Sequence, residues 1–150
     1  MSDFNSNIEN SMKETAELLI KDKQSPTDIR MYNPLVLAYV GDSVYETFIR
    51  TMLVSNGSTQ VDKLHKRAIK YVQAKAQAEI VEKLHDSLTE EEQDIVRRGR
   101  NTKSGTVPKN ADINDYRHAT GFEALIGYLY LIGNTKRLME IFAAVAEIEK

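Results

Sequence analysis

The tightest constraint on this chain comes from two strongly apolar runs of helical length. The first, NPLVLAYVGDSVYETFIRTML, residues 33–53, reads as a long helix, with Pro34 acceptable in its first turn. The second, GFEALIGYLYLIG, residues 121–133, closes a longer helical segment that begins NDYRHAT. Each run holds residues that oppose its own conformation. Gly costs about 1 kcal/mol relative to Ala in a helix interior. Asp competes with the backbone for hydrogen bonds. Yet Gly41 and Asp42 sit in the middle of the first run, and Glu123 is the one charge in the second, with Gly127 four residues later on the same helix face. An ionised carboxylate among Val, Leu and Tyr is costly unless something pairs with it.

Strand-like alternation persists nowhere in the chain, so the expected class is all-α. SMKETAELLIKD has weak helical spacing, and residues 1 to about 10 are expected to be disordered. SPTDIRMYNP punctuates the chain, and SNGST breaks the first long helix. Ser58 or Thr59 can cap the next helix, VDKLHKRAIKYVQAKAQAEIVEKLH, which is expected to bend or divide near residue 66. Thr89 and Glu92 have capping-box spacing ahead of a further helix. TKSGTVPKNAD reads as a loop, and NTKRLMEIFAAVAEIEK as the closing helix. The expected organisation is an N-terminal extension, 1–25, followed by one domain, 26–150.

The 150 residues suit one domain with one core. The chain has no Cys, which excludes disulfides and Cys-ligated zinc or iron–sulfur sites and fits a reducing compartment. The polar, acidic start MSDFNSNIEN is not expected to act as a signal peptide, and no apolar run reaches transmembrane length. A cytoplasmic protein with no membrane association is expected.

Net charge is −2, but its distribution is uneven. KLHKRAIKYVQAK holds Lys63, Lys66, Arg67, Lys70 and Lys75 with no acid, and the first four fall at i, i+3, i+4 and i+7, one helical face. RRGRNTKSGTVPKN supplies Arg97, Arg98, Arg100, Lys103 and Lys109, also without an acid, and reads as a basic loop. Both suit phosphate contacts, which set affinity without reading sequence; the bland alternative is a solvated face. His65, His85 and His118 are scattered, without metal-ligand spacing. Tyr39, Tyr45, Tyr128 and Tyr130 lie in the apolar runs and read as core.

Glycine lets helices approach closely. If the two apolar helices cross at their glycines, Asp42 and Glu123 converge in a hydrocarbon-walled pocket, where two carboxylates would rather bind protons or a divalent cation. The competing reading pairs each acid with a core Arg, for which Arg50 and Arg117 are candidates. Glu46, one turn after Asp42, could add a third ligand but reads better as solvated or paired with Arg50.

AYVGDSVYE and FEALIGYLYL resemble the two signature helices of the ribonuclease III fold. RGRNTKSGTVPKNADINDYRHATGFEALIGYLYL resembles the stretch typical of Mini-III ribonucleases, which lack a double-stranded-RNA-binding domain. The resemblance covers roughly residues 30–147. It implies a helical endonuclease domain that works as a homodimer, cuts double-stranded RNA with Mg²⁺ (Mn²⁺ able to substitute), leaves 5′-phosphate and 3′-hydroxyl ends, and matures 23S ribosomal RNA precursor. It places the catalytic, metal-holding acids on Asp42 and Glu123, and leaves room for a ribosomal protein that presents the substrate. Full-length ribonuclease III carries further acids where this chain has Leu35, Ala38 and Thr120, so water and RNA phosphate must complete the metal shell. Those absences give some weight to a rival reading, a catalytically silent RNA-binding module of the same fold. A second rival is an all-α interaction protein with core ion pairs.

Overall fold

The computed structural model describes residues 2–19, 25–57, 60–103 and 107–148. Among these it contains eight α-helices: α1 (Ser2–Leu19), α2 (Pro26–Arg30), α3 (Pro34–Ser55), α4 (Val61–Val72), α5 (Ala74–Leu84), α6 (Glu90–Asn101), α7 (Ile113–Leu131) and α8 (Thr135–Ile148). A 3-10 turn, His85–Ser87, follows α5. No strand occurs among the described residues. Helix α7 is the axis of the bundle: its most extensive packing is against α3, then α6, then α5.

Apolar periodicity places the core. Tyr45 and Ile49 of α3, Phe122, Leu125 and Ile126 of α7, and Leu138 of α8 are fully buried. Each large apolar side chain removed from water contributes roughly 1.5–3 kcal/mol. The Tyr45 ring meets the Phe122 ring edge-on at 5.1 Å, and its hydroxyl donates to the Tyr71 carbonyl at 2.9 Å, which fixes α4 against α3. Phe48 stacks on Phe142 at 4.1 Å, joining α3 to α8.

Local signals set most helix ends. Asn33 caps α3, accepting from the Leu35 amide at 2.9 Å, with Pro34 in the first turn. The Thr89–Glu92 capping box is formed in both directions, at 3.1 and 2.9 Å. Glu92 also takes a fork from Arg137 of α8, Nε and Nη2 each at 2.8 Å. Burial raises the Glu92 pKa, but the Arg137 fork and the Thr89 amide outweigh it and hold the carboxyl below its usual range.

Four expectations are corrected. Residues 2–10, expected to be disordered, form the first half of α1, whose Ala16 is buried and whose Met12 packs on the core. The punctuating segment SPTDIR contains a short capped helix, α2, with Ser25 and Asp28 as its capping box. The helix after SNGST divides at Gln73, whose backbone is extended (φ −66°, ψ 152°), and not near residue 66. The Gln77 side chain accommodates the break by donating to the freed Val72 carbonyl at 2.8 Å. The expected caps Ser58 and Thr59 lie outside the described residues, and Gln60 stands at the N-cap of α4. Finally, α6 continues to Asn101, so Arg97, Arg98 and Arg100 are helical; the basic loop proper begins at Thr102. Gly99 is accommodated because α6 crosses α7 there: a Cβ on Gly99 would stand 2.8 Å from the Gly121 Cα. The interhelical contact offsets the propensity cost.

Candidate active site

Helices α3 and α7 touch backbone to backbone at a pair of glycines. A Cβ on Gly41 would lie 1.8 Å from the Glu123 carbonyl oxygen and 2.7 Å from the Gly127 nitrogen. A Cβ on Gly127 would lie 1.9 Å from the Leu37 carbonyl oxygen. The helices therefore cross at the residues expected from the sequence. Because Gly41 faces α7, the next residue along the helix, Asp42, is turned about 100° away, toward the edge of the crossing. Glu123 reaches the same edge from α7, near enough to Asp42 for that carboxyl to perturb its own.

The site is more open than a hydrocarbon-walled pocket. Asp42 is exposed and Glu123 half-buried. The expectation of two buried carboxylates is corrected accordingly: the glycine takes the central position, and the acids fall beside it. Even so, burial first, then the hydrogen bond and charge of Asp42, then the charge of Glu46, push Glu123 up to about 9. No Arg or Lys forms an ion pair with either acid among the described residues. Arg50 is bound to Glu46 at 3.4 Å, and Arg117 is exposed. The core-ion-pair alternative finds no support at these positions.

An all-oxygen donor set with Glu123 held off ionisation fits a hard divalent cation, which would relieve the repulsion between the acids. Leu35, Ala38 and Thr120 add no acid: Leu35 and Ala38 are hydrocarbon, and the buried Thr120 hydroxyl donates to the Tyr116 carbonyl at 2.9 Å. Among the described residues no group of three or more His, Asp or Glu is assembled to hold a metal ion. His65 and His85 are exposed, and His118 Nδ1 lies 2.7 Å from the Asn114 carbonyl oxygen.

The basic residues separate into two sets. Lys63, Lys66, Arg67 and Lys70 are all on α4 and all exposed, as one face. Lys75 is carried onto α5 by the break at Gln73. On α6, Arg97 pairs with Asp94, which also binds Arg30 at 3.1 Å, and Arg98 donates to the Arg30 carbonyl at 2.6 Å. Asp94 and Arg98 therefore tie α6 to the end of α2, whereas the Arg97–Asp94 pair lies within α6. Arg100, Lys103 and Lys109 form no ion pair among the described residues, and residues 104–106 lie outside them. Of the four tyrosines read as core, Tyr45 and Tyr128 are buried and Tyr130 is half-buried, but Tyr39 is 83% exposed beside exposed Val36.

This helical arrangement defines the class. The family model described as Ribonuclease III domain matches residues 35–134, which span both glycine-crossed helices. A crystal structure of a Fusobacterium nucleatum protein superposes with a TM-score of 0.73 at 34% identity, over 82% of this chain and 98% of that one. A Mini-ribonuclease 3 of Thermoanaerobacter sp. is 50% identical over 90% of this chain and 92% of its own. One from Clostridium tetani is 53% identical over 81% of each. The chain belongs to the Mini-ribonuclease 3 family of ribonuclease III domains.

Proposed function

We propose that this chain hydrolyses double-stranded RNA at a divalent-cation site held by Asp42 and Glu123. That it is an endoribonuclease follows from its family, as does an RNA substrate. The observation that carries the site assignment is the Gly41–Gly127 contact, which sets the two carboxylates side by side with no basic partner. The family is generally metal-dependent; we take Mg²⁺ as the ion, with Mn²⁺ able to replace it, on the oxygen-only donor set. A cation there would polarise the scissile phosphate, acidify a water and stabilise the leaving 3′-oxygen. Asp42 and Glu123 orient and charge-balance that centre, and no side-chain nucleophile is needed, since the attacking group is water; Ser43, next to Asp42, spends its hydroxyl on the Val40 carbonyl at 2.8 Å. The exposed face of Lys63, Lys66, Arg67 and Lys70 grips backbone phosphate, as do Arg97, Arg98, Arg100, Lys103 and Lys109 to the extent that their protein contacts release them.

The protein works as a homodimer, so that two sites related by a two-fold axis cut both strands. The exposed apolar residues Val36 and Tyr39 on α3 support a covered face there. Residues 26–150 form the catalytic domain and 1–25 its extension. The substrate implied by the family resemblance is the 23S ribosomal RNA precursor, with a ribosomal protein as the presenting partner. Among the described residues no helix is long and apolar enough to cross a membrane, and we place the enzyme in the cytoplasm.

Asp42→Asn and Glu123→Gln test the site. Each keeps shape and removes charge, so each should abolish cleavage of a long duplex in Mg²⁺ while circular dichroism, dimer mass and duplex binding stay unchanged. Cleavage near the wild-type rate by either variant refutes the assignment. A wild-type protein that binds duplex RNA but never cuts it, with Mg²⁺ or Mn²⁺, would favour the silent binding module.

A further inference from the structure

A divalent cation of the Mg²⁺ type needs about six oxygens, and Asp42 and Glu123 leave most of those positions to solvent and substrate. The residues one helical turn from either acid decide what else the protein can offer. Around Asp42 they are Ala38, Tyr39, Tyr45 and Glu46; around Glu123 they are Ala119, Thr120, Ile126 and Gly127. Glu46 is the one carboxylate among them. It is at i+4 from Asp42, on the same side of α3, and near enough to Glu123 for its charge to act there. Its side chain is 41% exposed and so free to change rotamer.

Glu46 is drawn the other way along the helix, toward Arg50 at 3.4 Å. The contact is long for a charge-assisted hydrogen bond, and the Arg50 side chain is 68% exposed. Exposed i,i+4 pairs of this kind contribute little. A double positive charge between Asp42 and Glu123 would compete with a single, solvated one for the same carboxylate.

We propose that Glu46 is a third carboxylate ligand of the cation site and that Arg50 holds it aside until the cation binds. The proposal rests on the reading of Asp42 and Glu123 given above. Arg50 then acts as a positioning residue: it neutralises Glu46 in the free enzyme and limits the repulsion among three acids.

The test is Mn²⁺ binding to the RNA-free, full-length protein, followed by calorimetry and by loss of the free-ion electron paramagnetic signal. Glu46→Gln should weaken binding by about tenfold or more. Glu46→Asp keeps the charge and withdraws the carboxylate by one methylene; a ligand should lose affinity, whereas a charge acting through space should not. Arg50→Gln frees Glu46 and should tighten binding severalfold. Wild-type affinity in Glu46→Gln, or in Glu46→Asp, overturns the ligand role, and unchanged or weaker binding in Arg50→Gln overturns the restraint. Asp42→Asn in the same titration separates the two levels: wild-type binding there means the underlying site is wrong, while its loss together with an unaffected Glu46→Gln removes Glu46 alone.

Discussion

Gly41→Ala should damage both stability and catalysis, although in isolation it improves the helix. Propensity favours Ala over Gly by about 1 kcal/mol in a helix interior. The crossing opposes it. The new methyl would stand 1.8 Å from the Glu123 carbonyl oxygen, against the 3.0 Å below which real Cβ contacts essentially never occur. The obstructing atoms are backbone, so no rotamer change relieves the clash, and α3 and α7 must part by more than an ångström along their longest shared interface. Overpacking a well-packed core costs typically 1–3 kcal/mol and occasionally more; with two backbones involved, the upper end is expected. After the propensity gain, a net loss of about 2 kcal/mol corresponds to a fall in Tm of roughly 4–8 °C for a chain of this size. The same separation moves Asp42 away from Glu123, so cleavage at saturating RNA should drop even at temperatures where the variant is folded. Differential scanning calorimetry and single-turnover cleavage read the two effects. A Gly41→Ala protein as stable and as active as wild type would show that the close approach neither holds the bundle nor sets the site.

The raised pKa of Glu123 carries a pH dependence of stability. Between its ordinary value, 4.5, and about 9, the folded state keeps a proton that the unfolded chain releases, so in EDTA stability should fall as pH rises through that window and level off above it. Asp42→Asn removes a source of the shift, and the difference in Tm between variant and wild type, followed against pH, should grow in favour of the variant; a difference independent of pH would refute the linkage. Replacing Lys63, Lys66, Arg67 and Lys70 by Gln should weaken duplex binding alike for all sequences and flatten its salt dependence by a slope of about 0.9 for each phosphate no longer neutralised. Binding isotherms at several salt concentrations measure this, and an unchanged slope would remove α4 from the interface.

Much of this protein is legible in its sequence because the signals are local. The capping box of Thr89 and Glu92 depends on side chains within three residues of the amides they satisfy, and it forms in both directions. The all-α class follows from apolar periodicity, which needs no knowledge of partners. Paired oddities, a glycine and an acid in each of two apolar helices, are enough to expect that α3 and α7 cross at Gly41 and Gly127. What a single chain read in one dimension lacks is direction around each helix once it is packed. That Gly41 faces α7, and therefore that Asp42 is exposed at the rim and not enclosed, is decided by the crossing. So is the course of α6 through Gly99, since a glycine reads locally as a break and becomes an asset only when α7 lies against it. Arg98 reads as a free cation because the Arg30 carbonyl reaches it only through the meeting of α6 and α2, whereas the partner of Arg97, Asp94, is local, three residues back on the same helix. Glu92 reads as a cap, and only the fold adds Arg137, forty-five residues away, as the charge that permits its burial. Spacing determines which side chains can share a face; long-range packing determines what that face meets, because burial and pairing energies depend on atoms distant in the chain.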